Sequence, residues 1–246
     1  MKFFIKEDYG LILILLALII TPIFFIHSFS IPIYSLNANP SYYPVLFATT
    51  FLLLLSISGI LFYAWTDHRN NKALLVWAAA FLAHALPFLI GIFDYSLTLF
   101  AFRFGLIAWV AGMYLGIALI LSKKKGIGCL PAIGLLIVAI AWVALDIVAY
   151  EFIFSIISIF VFFHLLISPV LAILTYSFYI YSIQSKLSFP KWLVFGFTLL
   201  TVAFFIVPIT RPEELMRSWA ILYVTALFVV LFGFCIMCKE LNKKRK

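Results

Sequence analysis

The sequence predicts an all-α, polytopic transmembrane helix bundle, and three observations carry that prediction. Hydrophobic residues make up 66% of the 246 positions and charged residues 11%, against about 45–50% and about 25% in ordinary soluble domains. The apolar residues fall in eight continuous stretches, each close to the roughly 20 residues a helix needs to cross about 30 Å of hydrocarbon. The basic residues lie almost entirely on one side of the topology that those stretches imply. Hydrocarbon offers no water to exposed amides, so a spanning segment is a helix or part of a closed barrel. These runs lack the alternation of a barrel strand.

The predicted spans are 10–28, 43–64, 73–93, 97–121, 130–150, 152–181, 192–209 and 219–238. The first follows a short basic start at Met1–Lys6, and Ser28-Phe29-Ser30 offers a small-residue cleavage site whose use would leave seven spans. Glu7 and Asp8 interrupt the basic region, and the apolar run exceeds the roughly 7–15 residues of a signal core, so an uncleaved first helix is expected. The second span begins after an irregular stretch with Pro32, Asn37, Asn39 and Pro40, and ends at the polar segment Trp65–Lys72. The third carries His84 and Pro87. The fourth carries Arg103 and the cluster Gly105, Gly112 and Gly116, in which Gly112 and Gly116 form a GxxxG that lets two helices approach closely. The fifth carries Asp146. The sixth is the longest and contains His164 and Pro169, so a tilt or kink is expected there. The eighth ends in Cys235-Ile236-Met237-Cys238 and a basic tail.

Alternating the connections places fourteen of the seventeen lysines and arginines on one side: Lys2, Lys6, Arg69, Lys72, Lys123, Lys124, Lys125, Lys186, Lys191, Lys239, Lys243, Lys244, Arg245 and Lys246. The opposite side carries Arg211 and Arg217. The positive-inside rule then puts both termini in the cytoplasm of a multi-pass cell-membrane protein. The formal charge of +8 follows from topology and attraction to anionic lipid headgroups, with no nucleic acid required. No connection is long enough for a soluble domain, so residues 1–246 read as a single integral membrane domain. The two halves of the chain show no internal repeat. Trp65, Trp77, Trp192, Trp219 and Tyr43 lie near predicted interfaces, where amphipathic rings act as anchors.

Ionisable side chains inside a span are expensive and mark the places to look for function. His84 and His164 lie about eleven and twelve residues into their helices, near the midplane at about 1.5 Å per residue. Arg103 and Asp146 sit at similar depth on consecutive helices and invite an ion pair. Pro87 and Pro169 each free a backbone carbonyl close to a histidine, which suggests a shared pocket. The leading expectation is therefore a protein that binds or translocates a small apolar or weakly acidic ligand, with His84, His164, Arg103 and Asp146 lining one polar patch. An alternative makes His84 and His164 axial ligands of a b-type haem in an electron-transfer subunit. Zinc would need Cys129, Cys235, Cys238 and His68 to converge from three helix ends.

A third reading is a sensor or scaffold whose cytoplasmic loops, Trp65–Lys72 above all, dock a partner protein. In outline the chain is similar to the membrane portion of seven-helix sensor proteins, although no motif names a family. Arg211-Pro212-Glu213-Glu214-Leu215-Met216-Arg217 resembles the glutamate–arginine motif of membrane CAAX-type proteases. Its spacing is one residue short and the expected histidine-bearing helices do not follow, so that resemblance is set aside. GxSxG, GxxxxGK[ST] and HExxH are all missing.

Overall fold

A computed structural model of the protein describes residues 43–69, 71–93, 95–121, 137, 141, 161–185, 187–206 and 213–243. Those residues are helical apart from short connections, and no strand occurs among them. The helices are α1 (Tyr43–Asp67), α2 (Lys72–Phe93), α3 (Tyr95–Leu121), a π-helical segment (Val161–Ile167) continuing into α4 (Ser168–Ser185), α5 (Phe189–Ile206) and α6 (Glu213–Lys243). Five segments, Pro44–Asp67, Lys72–Phe93, Phe162–Ser185, Phe189–Ile206 and Trp219–Leu241, are long and apolar enough to cross a membrane. The expected spans 10–28 and 130–150 lie outside the described residues, apart from Ile137 and Ala141.

Large apolar side chains point outward as well as inward. Val45, Phe93 and Ile221 are 69%, 83% and 68% exposed, while Leu54, Phe81, Leu106 and Phe197 are fully buried. A helix apolar on all sides belongs in lipid. The chain is accordingly an integral membrane bundle that crosses the bilayer several times. α6 runs well past the predicted 219–238 at both ends, because helical hydrogen bonding continues into polar turns that composition does not count as span.

Each helix packs on its chain neighbour, α3 touches α4, and α6 returns to α1, so α1–α6 form a closed ring. Lipid tails are as apolar as leucine, so helix association rests on close packing and a few hydrogen bonds. Close packing is clearest between α2 and α3. A Cβ on Gly112 would lie 2.6 Å from the Ala80 Cβ, one on Gly105 2.6 Å from the Pro87 Cγ, and one on Gly116 would overlap the Trp77 ring. The glycine cluster is thus the surface on which α2 rests.

Side-chain hydrogen bonds cross most of the interfaces. Ser58 on α1 donates to the Ala78 carbonyl at 2.8 Å, and Trp77 Nε1 on α2 donates to the Met113 carbonyl at 3.1 Å. Trp77 is 2% exposed, so it is a core residue where an interface anchor was expected. At the basic end Glu240 on α6 accepts from the Ser188 hydroxyl and from the backbone N–H groups of Ser188 and Phe189. A carboxylate there satisfies amides that the first turn of α5 leaves open. The α1–α2 connection is tight: the His68 N–H donates to the Ala64 and Trp65 carbonyls, and the Asn71 N–H to the His68 carbonyl.

The expected distortion near Pro169 takes the form of π-helical winding over Val161–Ile167. Proline cannot donate to the carbonyl four residues back, and its ring crowds that carbonyl. A wider turn just upstream relieves both.

Candidate functional site

His84 on α2 is fully buried. Its Nε2 lies 2.7 Å from the Tyr223 hydroxyl on α6. Its ring stacks on Trp109 of α3 at 4.9 Å and 12°. Phe88 and Phe102 close two further sides at 5.5 and 5.9 Å. Tyr223 in turn stacks on Trp219, one turn away on α6, at 5.4 Å and 10°. The site therefore draws on three helices. The notch that admits it comes from Pro87 on α2, whose missing N–H leaves the Ala83 carbonyl without its helical donor. Gly105 on α3 lies against that same carbonyl, and a Cβ there would come within 2.8 Å of it.

The polar groups of this cluster are incompletely satisfied. When the Tyr223 hydroxyl donates to Nε2, the neutral imidazole carries its proton on Nδ1; the other tautomer reverses both roles. In either case Nδ1 is buried without a hydrogen-bond partner among the described residues, and so are Trp109 Nε1 and Trp219 Nε1. Leaving a buried donor or acceptor unmade costs about 1–3 kcal/mol.

The other predicted site residues stand differently. His164 lies in the π-helical segment, 2% exposed, with its ring edge-on to Phe205 of α5 at 4.9 Å. The contacts described for the two imidazoles thus lie on different helices: α3 and α6, besides its own helix, for His84, and α5 for His164. An aromatic relay links them, since Tyr223 packs on Phe204 at 5.5 Å and Phe204 stacks on Phe163, beside His164, at 6.1 Å. Arg103 lies on α3, and Asp146 lies outside the described residues, as does any pairing between them.

For haem, the nitrogen that would face an iron on His84 is engaged by Tyr223, and Trp109 covers a ring face. For zinc, no three His, Cys, Asp or Glu side chains converge among the described residues. Cys235 is exposed, the Cys238 thiol lies 3.9 Å from the Ile60 carbonyl, and Cys129 lies outside the described residues.

Tyr223 and Trp109 were not singled out from the sequence, and Trp219 was read as an interface anchor. One signal was available: Trp219 and Tyr223 are spaced i, i+4, which puts two amphipathic rings on one face of a helix. Compared with known proteins, the chain matches no protein family, no curated protein and no solved structure.

Proposed function

We propose that this membrane protein binds a small, largely apolar molecule, carrying one hydrogen-bonding or weakly acidic group, at the His84–Tyr223 pair inside the bundle. The Nδ1 of His84, buried and without a hydrogen-bond partner among the described residues, carries this reading. An aromatic enclosure admits an apolar body, and the open ring nitrogens supply the polar contacts that fix its orientation. The ligand enters uncharged, because nothing described in the enclosure would neutralise an ion.

Binding fits this site better than free passage. Trp109, Phe197, Phe178 and Trp77 form a continuous column of ring contacts at 5.3–6.2 Å that closes the bundle below His84. By the positive-inside rule the end rich in lysine faces the cytoplasm, with the bilayer as the surrounding partner.

The test uses phenol as a neutral, weakly acidic probe and the full chain in nanodiscs with ¹⁵N-labelled histidine. The His84 imidazole resonance, assigned by its loss in His84→Ala, is expected to shift saturably with phenol. The shift disappears in Trp109→Leu. An imidazole resonance that stays fixed across the titration refutes the reading.

A further inference from the structure

A cavity of about 100 Å³ opens where α2 and α5 begin and α3, α4 and α6 end, on the far side of the aromatic column from His84. An engineered apolar cavity of about 150 Å³ holds benzene and a water takes about 30 Å³, so this one excludes a ring and fits a group of about three non-hydrogen atoms.

Its wall is largely aromatic. Trp77 packs on Phe178 at 5.7 Å and Tyr181 on Phe189 at 5.9 Å, and all four rings line the cavity. Aromatic faces carry partial negative charge and attract cations. The polar side chains on the wall supply acceptors. Ser177 spends its hydroxyl proton on the Ile173 carbonyl and keeps its lone pairs, and Asn71 and Tyr181 each add an oxygen.

The formal charges that bear on this wall are negative. Glu240 accepts from the backbone N–H of the lining Phe189 at 3.4 Å and acts electrostatically on Tyr181. Asp67 acts in the same way on Cys238, the neighbour of the lining Met237. No lysine or arginine among the described residues lines the cavity; Lys72, Lys191 and Lys239, the nearest in sequence, are exposed, where water and salt screen them. A compact space with ring faces, acceptor oxygens and nearby carboxylates complements a small cation rich in donors. A primary ammonium has three N–H donors, and with an ordinary pKa of about 10.4 it stays charged at neutral pH.

We infer that this cavity binds the primary ammonium end of a short alkylamine, with its N–H groups toward Asn71, Ser177 and Tyr181 and its adjoining carbons against Trp77 and Phe178. The site is separate from His84 and does not depend on the function proposed there. A free amine and an ethanolamine lipid headgroup share this chemistry.

The experiment labels the methionine methyls of the full chain with ¹³C in phosphatidylcholine nanodiscs at pH 7 and constant ionic strength. The Met237 resonance, assigned by its loss in Met237→Leu, is expected to shift saturably with ethylammonium, and with ethanol at least about threefold more weakly. Glu240→Gln keeps an acceptor for the start of α5 but removes the charge; it weakens ethylammonium about threefold or more and leaves ethanol unchanged. Tyr181→Phe weakens ethylammonium about twofold, Ser177→Leu fills the cavity and abolishes the response, and His84→Ala responds as wild type does. In phosphatidylethanolamine nanodiscs, a Met237 resonance already at its bound position identifies a lipid headgroup as the source, and an unchanged titration identifies a free amine. Equal responses to ethylammonium and ethanol overturn the cation assignment. A response that survives both Ser177→Leu and Glu240→Gln overturns the site. Should Ser177→Leu fail to fold, Glu240→Gln and the ethanol comparison decide.

Discussion

The contact between α2 and α3 sets up the sharpest test of what holds the bundle together. Replacing Gly112 by alanine would place a methyl carbon 2.6 Å from the Ala80 Cβ, where two carbons rest at about 3.5–4.0 Å. The helices must part by about 1 Å, and overpacking of this kind costs about 1–3 kcal/mol. Alanine's better helix propensity returns about 0.8–1 kcal/mol. Gly112→Ala should therefore destabilise the protein by about 1 kcal/mol. Ala80→Gly removes the opposing methyl, and the nearest atoms are then the Ala80 Cα at 3.5 Å and the Val76 carbonyl at 3.7 Å, both ordinary contacts. The double variant should be more stable than the sum of the two single changes by about 1–2 kcal/mol. Gly59→Ala is the control, because a Cβ there meets nothing within 4 Å. The assay is reversible unfolding of the full chain in mixed micelles, titrated with dodecyl sulfate and followed by circular dichroism. A coupling energy near zero, or an equal loss at Gly59 and Gly112, refutes close glycine packing as the basis of this interface.

Four further outcomes are expected. Tyr223→Phe removes the only hydrogen bond described for His84 and should cost about 0.5–1.5 kcal/mol in the same unfolding titration. Trp77→Phe keeps an aromatic side chain but loses part of the buried indole and its bond to the Met113 carbonyl, and a loss of about 1–3 kcal/mol should be accompanied by faster amide exchange near Ile117 on α3. Glu240→Ala strips the start of α5 of its acceptor, and limited proteolysis should then cut faster around Ser188–Lys191, with global stability falling by about 1 kcal/mol. Protein purified from cells supplied with a haem precursor should show no Soret band, because the His84 ring is occupied by Tyr223 and Trp109; a band abolished by His84→Ala would overturn that assignment.

Much of the architecture was legible because a single constraint dominates it. Apolar length alone located α1, α2, α3, α5 and the core of α6 to within a few residues, since hydrocarbon dictates both the helix and its extent. Gly105, Gly112 and Gly116 were recognisable as a close-packing surface, since a run of small residues in an apolar helix has few other uses. The winding before Pro169 was foreseen as a distortion but not in kind: proline dictates that a helical bond is lost, and its neighbours decide how the strain is relieved. The site was less legible. His84 stood out because charge and lipid are incompatible, whereas Trp109 and Tyr223 are common in membrane helices. Only the rotation of α3 and α6 about their own axes turned them inward. That rotation depends on helix packing, which a hydropathy pattern without an aqueous face does not encode.

The same absence of an aqueous face bears on how His84 is to be understood. In water, a buried imidazole can be retained because its helix has another, polar side to solvate; in lipid, every side of α2 is apolar and substitution by leucine or phenylalanine would meet no solvation penalty. The other hydrogen bonds to α2 already show what purely structural polar groups look like in this protein: Ser58 and Trp77 each reach a carbonyl on a neighbouring helix and leave no side-chain polar atom unpaired. His84 departs from that pattern. It uses one nitrogen to engage Tyr223, and the other lies buried and unbonded, alongside two indole nitrogens in the same state. A group present only to join α2 to α6 needs a single hydrogen-bonding atom, which a tryptophan or a hydroxyl would supply. The proposed binding role would use that surplus: the bonded nitrogen holds the ring in place, and the other would meet the ligand.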